Sequence, residues 1–140
     1  MRVYFCGAIR GGRRLQPRYA RIVSWLQQRG HQVLTAHVGR ADVLEHERAT
    51  RKNDRAIYEG DMAWIEQADV VIAEVTVPSI GVGMEIMRAQ MLGKRVVCLC
   101  EAGADVSALV AGNPHVELWR YRDEDELLRI LDRLVSSAGG

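Results

Sequence analysis

The carboxylate Glu85 has an unusual setting, in the stretch TVPSIGVGMEI (76–86) that follows the apolar run ADVVIAEV (68–75). We predict that the apolar run is a buried strand and that Glu85 lies in the first turn of the next helix. A negative charge near a helix N-terminus is ordinary, because the helix dipole favours it. That explanation suits a surface glutamate better than one placed among Val82, Met84 and Ile86. We therefore interpret Glu85 as a candidate for chemistry.

A second carboxylate, Asp61, lies in the segment YEGDMAWIEQAD (58–69), directly after Gly60. The alternative for a lone aspartate on an amphipathic helix is a solvated helix face. Two carboxylates around one bond are, however, the equipment of glycosyl cleavage, in which one attacks the anomeric carbon and the other handles the proton of the leaving group. Asp69 and Glu74 flank the third predicted strand; we interpret Asp69 as a turn residue and leave Glu74 open as a group at the edge of the site.

Two glycine-rich loops, CGAIRGGR (6–13) and PSIGVGME (78–85), are predicted to follow strands. In parallel α/β sheets ligands bind beyond the carboxyl ends of the strands, and backbone N–H groups of such loops hold phosphate. Neither loop carries the dinucleotide pattern G-x-G-x-x-G or the G-K-[ST] of a Walker A loop. With Arg10, Arg13 and Ser79 at hand, the two loops together predict a phosphorylated small ligand.

Length and composition describe one ordinary globular domain over residues 1–140, with 48% apolar residues and a formal net charge of +1. That charge argues against a strongly electrostatic nucleic-acid binder. No apolar run reaches the roughly 20 residues of a membrane span, and the N-terminal MRVYFCG has no signal-peptide features. We therefore expect a cytoplasmic protein without a nucleic-acid or membrane partner.

The three cysteines are Cys6 and the lone C-x-C pair Cys98 and Cys100. A single C-x-C pair is weak evidence for zinc, and an odd number of cysteines in apolar segments favours buried, reduced thiols. We expect no metal and no cofactor.

Strand and helix patterns alternate along the chain and predict how these residues are positioned. Strands are predicted at 2–6, 32–36, 70–75, 95–100 and 116–121. Helices are predicted at 17–30, 54–69, 83–93, 106–112 and 124–135, whereas segment 38–52 has no clear period and is predicted to be a long loop. This alternation predicts an α/β fold, a three-layer Rossmann-like (flavodoxin-like) five-stranded parallel sheet.

Two long motifs, YFCGAIRGGR (4–13) and ADVVIAEVTVPSIGVGMEI (68–86), resemble the nucleoside deoxyribosyltransferase-related family. The resemblance is strongest to its hydrolase branch, the 2'-deoxynucleoside 5'-monophosphate N-glycosidases, and extends over nearly the whole chain. It implies a homodimer with a Rossmann-like fold that splits the bond between a base and deoxyribose 5-phosphate.

The same resemblance implies individual roles. Glu85 would be the nucleophile that forms a covalent sugar-phosphate intermediate, which water then resolves. Asp61 would assist the leaving base and position the nucleophile, and Tyr4 would lie under the sugar near its 2' position. Ser107 of the neighbouring subunit would reach the 5'-phosphate, although its position equally suits an N-cap of the short helix that follows. The expected substrate-contacting residues are Gly7, Ala8, Ile9, Arg10, Gly11, Gly12, Arg13, Ile22, His37, Ser79, Gly81, Ser107 and Ala108.

One position departs from the family pattern. The loop usually reads CGSI, with a serine hydroxyl on the phosphate, and here Ala8 takes the place of that serine. One hydrogen bond to a charged group, worth about 1.5–3 kcal/mol, is therefore missing. This leaves three alternatives open: a deoxyribosyltransferase acting on nucleosides, a ribonucleotide (for example CMP) N-glycosidase, and a nucleotide-binding module without catalysis.

A stripe of methionines, Met84, Met87 and Met91, recurs at i, i+3 and i+7 of the predicted third helix. Such a stripe is either core or, in the family that the chain resembles, a helix–helix dimer surface.

Overall fold

Five parallel strands form one sheet in the computed structural model, which describes residues 1–10, 13–51 and 53–138. The strands are β1 (Arg2–Gly7), β2 (Gln32–Val33), β3 (Val70–Glu74), β4 (Arg95–Glu101) and β5 (Glu117–Tyr121), in the order β2-β1-β3-β4-β5. The helices are α1 (Gln16–Gln28), α2 (Val43–Arg51), α3 (Asp54–Gln67), α4 (Ile80–Met91), α5 (Ala108–Ala111) and α6 (Glu124–Ala138). The predicted α/β fold with a five-stranded parallel sheet is confirmed. Strand order reverses between β1 and β3, and in such sheets the ligand crevice lies at the carboxyl ends of the two strands at this point.

Two apolar layers cover the sheet, because successive strand residues point to opposite faces. Phe5 and Ile72 pack on one face with residues of α1 and α6. Tyr4 and Val71, their neighbours in sequence, pack on the other face with residues of α3 and α4. Tyr4 is thereby directed toward the helices that carry Asp61 and Glu85.

The second strand is shorter than predicted, and the prediction of strand over 32–36 is wrong beyond Val33. The Thr35 hydroxyl accepts from the Phe5 amide at 2.9 Å and lies 2.5 Å from the Phe5 carbonyl oxygen, to which it donates. The side chain thus replaces the backbone ladder at this point. The chain then turns into a short 3-10 helix, Ala36–Gly39.

The segment 38–52 contains the helix α2, so the prediction of a long loop there is wrong. The buried face of α2 consists of Val43 and the carboxylate Glu47. Arg51 continues the same face at i+8, with a side chain that is 11% exposed. Because this face has one apolar side chain and an ion pair, it shows no hydrophobic periodicity that could indicate a helix.

Helix α4 begins earlier than predicted, at Ile80. Ser79 is its N-cap, and the Ser79 hydroxyl accepts from the Val82 amide at 3.3 Å. Gly81 and Gly83 therefore belong to the helix, and Glu85 lies in its second turn instead of its first.

Cys6, Cys98 and Cys100 are buried free thiols, in agreement with the prediction. Within residues 1–10, 13–51 and 53–138, no helix combines the length and apolarity needed to cross a membrane.

Candidate active site

The Glu85 carboxylate meets the phenol of Tyr4 across the interface between α4 and the sheet. The Tyr4 hydroxyl donates to Glu85 Oε2 at 2.5 Å. Tyr4 is 1% exposed, because its ring fills the core layer between β1 and α4. The phenol therefore has little freedom to move, and it fixes the orientation of the half-buried Glu85 carboxyl group.

The pKa of Glu85 is raised to about 7, mainly by burial; the hydrogen bond from Tyr4 opposes the rise, and the nearby charge of Asp61 adds to it. Burial and the Glu85 charge also raise the pKa of Tyr4, which stays protonated and keeps donating. A carboxylate with a pKa near neutral pH is partly ionised under ordinary conditions, and the ionised form can act as a nucleophile or a general base.

Asp61 lies on α3 beside this pair, and its side chain is 20% exposed. Its Oδ1 atom accepts from Arg51 Nη2 at 2.9 Å. Burial raises the pKa of Asp61, and the Arg51 charge and hydrogen bond act in the opposite direction. Asp61 is therefore not on a solvated helix face.

Glu47 and Arg51 are residues that the sequence reasoning missed. Glu47 Oε1 lies 3.1 Å from His37 Nε2 and 3.6 Å from Arg51 Nη1. The hydrogen bond with His37 lowers the pKa of Glu47, and the Arg51 charge adds to this effect. The one available signal was the i, i+4 spacing of a glutamate and an arginine, which is common on exposed helices as well.

A pocket of about 570 Å³ opens where β1 and β3 end, and both carboxylates line it. The predicted site residues that line the pocket are Gly7, Ile9, Arg10, Asp61, Ser79, Gly81 and Glu85. The carboxylate of Glu47 and the exposed ring of Tyr58 also contribute to its walls. Polar groups and a carboxylate of raised pKa thus meet in one cleft, which is the usual composition of an active site.

The described residues contain no cluster of three or more histidine, cysteine, aspartate or glutamate side chains arranged to hold a metal ion.

Residues 3–126 match the model of the family described as Nucleoside 2-deoxyribosyltransferase. The chain belongs to this family. A 5-hydroxymethyl-dUMP N-hydrolase of Mus musculus is 46% identical over 128 residues, which cover 88% of this chain and 73% of that protein. The protein of the same name from Homo sapiens is 44% identical over 136 residues, which cover 94% of this chain and 77% of that protein. The structure of a CMP N-glycosidase from Clostridium botulinum matches with a TM-score of 0.67 and 24% identity, covering 94% of this chain and 99% of that one, and this likeness shows the shared fold.

Two of the glycines that line the pocket, Gly7 and Gly81, leave space that a side chain would fill. A Cβ atom added to Gly7 would lie 2.6 Å from the ring of Tyr19, so the β1 end tolerates only glycine without rearrangement. A Cβ on Gly81 would lie 3.7 Å from Glu85 Oε1, an ordinary contact that would narrow the space beside the carboxylate.

Several predicted substrate contacts lie away from the pocket. Ala8 is fully buried, and Ile22 is buried in the core layer on the opposite face of the sheet. His37 lies behind Glu47. Arg13 donates to the backbone carbonyls of Ala8 and Arg40, at 3.4 and 3.0 Å. Gly11 and Gly12 lie outside the described residues.

Ser107 and Ala108 line a second, apolar pocket of about 840 Å³ between α4 and α5. The Ser107 hydroxyl accepts from the Leu109 amide at 3.3 Å, as the N-cap alternative predicts. The two pockets share Pro78 to Ile80 and Val82, so Ser107 lies on the far side of the loop that borders Glu85.

The two other carboxylates named from the sequence are not in the pocket. Asp69 lies in the bend before β3, where it accepts from the Arg2 amide at 2.7 Å, in agreement with the turn interpretation. Glu74 is fully buried and accepts from the Tyr121 hydroxyl and from the Thr76 amide, so it fixes the turn that leads to α4.

Proposed function

We propose that this protein hydrolyses the N-glycosidic bond of 2'-deoxynucleoside 5'-monophosphates to the free base and deoxyribose 5-phosphate. The observation that carries the proposal is the Tyr4–Glu85 pair. Its carboxylate is oriented, has a near-neutral pKa and faces a pocket at the point where the strand order of the sheet reverses. The names of the relatives at 44–46% identity support the same reaction class.

In the first step, a Glu85 oxygen attacks C1' of the sugar while the bond from C1' to the base nitrogen breaks. The electron pair of that bond leaves with the base. The base nitrogen takes a proton from Asp61, whose raised pKa favours the protonated form compared with an exposed aspartate. The product of this step is an ester between Glu85 and the sugar.

In the second step, water attacks C1', the ester bond breaks and the Glu85 carboxylate is restored. Asp61 takes the proton of the water, so the enzyme returns to its starting state. The Tyr4 hydrogen bond increases the fraction of Glu85 that is ionised before the first step, and it stabilises the carboxylate that leaves C1' in the second step.

The 5'-phosphate is assigned to the side of the pocket formed by Arg10, Ser79 and Gly81. Here the N-terminus of the 12-residue helix α4 offers its first amides and the positive end of its dipole. Arg10 is exposed, lines the same pocket and supplies a full charge.

A second function, transfer of deoxyribose between bases, is favoured by one observation. Ala8 is fully buried and carries no hydroxyl, so the loop lacks one phosphate ligand that the family pattern provides. A nucleoside would be affected less than a nucleotide by this loss.

One assay separates the candidates. The purified protein is incubated with 5-hydroxymethyl-dUMP, other deoxynucleotides, CMP and deoxynucleosides, and the products are resolved by chromatography. Free base with deoxyribose 5-phosphate supports the proposal. A new nucleoside that forms only when a second base is added supports transfer, faster cleavage of CMP supports a ribonucleotide glycosidase, and binding without turnover contradicts all three reactions.

We also propose a homodimer that is formed through α4 and α5. Ile80, Met84, Met91 and Leu109 are between 63% and 88% exposed, and such a contiguous apolar surface is typical of an interface. In this arrangement Ser107 of one subunit approaches the phosphate side of its partner's pocket, while its capping bond to Leu109 is retained.

Subunit mixing tests the shared site. Glu85→Ala and Ser107→Ala dimers are mixed and allowed to exchange, which gives hybrids with one site that combines both intact residues. Activity at low substrate is expected to rise above the mean of the two parents. Exchange without this rise would assign Ser107 to capping alone.

We assign the protein to the cytoplasm, and the three buried free thiols support a reducing compartment. Cell fractionation with an antibody against the chain tests this assignment.

A further inference from the structure

We propose that Arg51 is the positioning residue of the active site: it holds the Asp61 carboxyl group in one orientation beside Glu85 and acts on the reaction through Asp61 instead of by touching the substrate. The inference rests on the proposed function for the role of Asp61, and it concerns a residue of α2, a segment in which no pattern indicated a site.

Arg51 clamps one face of α3. Its Nη2 atom donates to Asp61 Oδ1 at 2.9 Å and to the Ile57 carbonyl oxygen at 2.6 Å. Its guanidinium carbon lies 4.9 Å from the centroid of the Trp64 ring. These three partners are spaced i, i+4 and i+7 along α3, so they lie on one stripe of that helix. The Arg51 guanidinium is thus fixed by the Ile57 carbonyl oxygen and the Trp64 ring, and its hydrogen bond restricts the orientation of the Asp61 carboxylate.

Gly60 makes room for this arrangement. A Cβ atom at that position would lie 2.6 Å from Arg51 Nη2, well inside the closest contact that real Cβ atoms make. The absence of a side chain at Gly60 is thus required by the position of the guanidinium next to Asp61.

The Arg51 side chain lies behind the Asp61 carboxylate and not in the pocket. Asp61 lines the pocket, and Arg51 is absent from its described lining. The Arg51 side chain is 11% exposed. Its Nη1 atom lies 3.6 Å from Glu47 and has no hydrogen-bond partner among the described residues. Arg51 therefore reaches a bound nucleotide through side chains that line the pocket, of which Asp61 is the one to which it is hydrogen-bonded.

The charge of Arg51 also matters for Asp61. Burial raises the pKa of Asp61, and Arg51 is the strongest influence in the opposite direction. The titratable groups that act on Asp61 or are acted on by it are Arg51 and Glu47 of α2, His37 of the 3-10 helix, Glu85 of α4, and Tyr4 and Cys6 of β1. Removing Arg51 leaves two carboxylates and one histidine around Asp61, so its pKa is expected to rise.

The first experiment measures Asp61 directly, without reference to activity. Protein labelled with ¹³C at aspartate side chains is titrated by NMR as wild type, Arg51→Met and Arg51→Lys, with Asp61→Asn identifying the signal. Arg48→Met is the matched control, because it removes the same charge from an exposed position of the same helix. We expect the Asp61 pKa to rise in Arg51→Met, to rise less in Arg51→Lys, and to stay within about 0.3 units of wild type in the control. An unchanged Asp61 pKa in a folded Arg51→Met protein would overturn the proposal.

The second experiment is a double-mutant cycle on turnover. Arg51→Met is expected to lower kcat by roughly 10- to 100-fold, because a misplaced catalytic group costs about this much. In the Asp61→Asn background the same substitution is expected to lower kcat by less than about threefold, because the group on which Arg51 acts is already absent. Equal losses in both backgrounds would show that Arg51 contacts the substrate or supports the fold in general, and would refute the inference.

Failure of the inference and failure of the proposed function are distinguishable. If wild-type protein releases no base from any nucleotide, the proposed function fails. The NMR titration still shows whether Arg51 acts on Asp61. If Arg51→Met does not fold, Arg51→Lys is used, because it retains the charge and the aliphatic part of the side chain. If this variant has the kcat of wild type and an unshifted Asp61 pKa, the planar guanidinium has no positioning role.

Discussion

The hydrogen bond from Tyr4 to Glu85 makes the pH dependence of the reaction the sharpest test of the mechanism. In the free enzyme Glu85 has a pKa of about 7, raised mainly by burial and held down by the Tyr4 phenol. The nucleophile is the ionised form, and kcat/KM follows groups of the free enzyme. We therefore expect a bell-shaped kcat/KM profile, in which ionisation of Glu85 gives one limb with its midpoint near 7 and ionisation of Asp61, the proton donor, gives the other.

Tyr4→Phe removes the phenol oxygen and retains the ring that packs in the core. The lost bond, 2.5 Å long and made to a charged acceptor, favours the carboxylate form. Such bonds contribute about 1.5–3 kcal/mol, and one pKa unit corresponds to 1.36 kcal/mol, so the Glu85 pKa is expected to rise by about 1 to 2 units. At pH 7 the ionised fraction then falls from about one half to between roughly one tenth and one hundredth. The loss in kcat/KM at pH 7 is therefore about 5- to 50-fold, and the limb of the profile that belongs to Glu85 moves to higher pH by about 1 to 2 units.

The assay is the initial rate of base release at low substrate, from about pH 5 to about pH 9.5, for wild type and variant. The second ionisation of the substrate phosphate, with a pKa near 6, affects both proteins equally, so the difference between their midpoints belongs to the enzyme. Tyr58→Phe is the control, because it removes a phenol at the pocket wall that does not bond to Glu85 within the described part of the chain. A Tyr4→Phe protein with a uniformly lower rate and an unmoved midpoint would refute the assignment of this pKa to Glu85.

The remaining predictions concern the same cluster. Glu85→Gln is expected to lose turnover by several orders of magnitude with ligand binding retained, measured by calorimetry. The same variant is expected to be more stable than wild type at high pH. The native pKa of Glu85 exceeds the ordinary value of 4.5, so wild-type stability falls as pH rises from 4.5 through 7. The variant's unfolding free energy, measured with urea, is therefore expected to exceed that of wild type by about 2–3 kcal/mol above pH 8, and the difference is expected to disappear below about pH 4.5. Gly60→Ala is expected to displace Arg51 and lower kcat, with unfolding free energy within about 1 kcal/mol of wild type, whereas Gly103→Ala adds a Cβ in open space and leaves kcat unchanged. Tyr4→Phe is also expected to narrow the preference for deoxynucleotides over ribonucleotides, and a wild type that prefers ribonucleotides would contradict this reasoning.

The sequence by itself determined the α/β class and four of the five strands to within about a residue, and it indicated Glu85 as a candidate for chemistry. These features depend on local patterns. The run VVIAEV is apolar on both faces because β3 is central in the sheet, and alternating strands and helices leave few other ways to bury their apolar sides. Asp61 and the two glycine-rich segments were also identified, since glycine and charge are conspicuous in apolar surroundings.

The tertiary structure alone decided where α2 lies and what it does. The buried face of this helix contains one apolar residue, Val43, beside the charged residues Glu47 and Arg51, and a single apolar position makes no periodic pattern. Their partners His37, Asp61 and Trp64 are 10 or 13 residues away along the chain and become neighbours only when the 3-10 helix and α3 pack against α2. Ion pairs of this kind depend on burial and on distances between elements, which a single sequence does not encode locally.

The tertiary structure also decided which predicted contacts face the pocket. Ile22 and Tyr4 are both apolar, regularly spaced residues of buried elements, yet they lie on opposite faces of the sheet. The alternation of side chains along β1 and the side on which each helix packs determine this difference. The pKa of Glu85 is decided in the same way, because the desolvation that raises it exists only once α4 covers the end of β1.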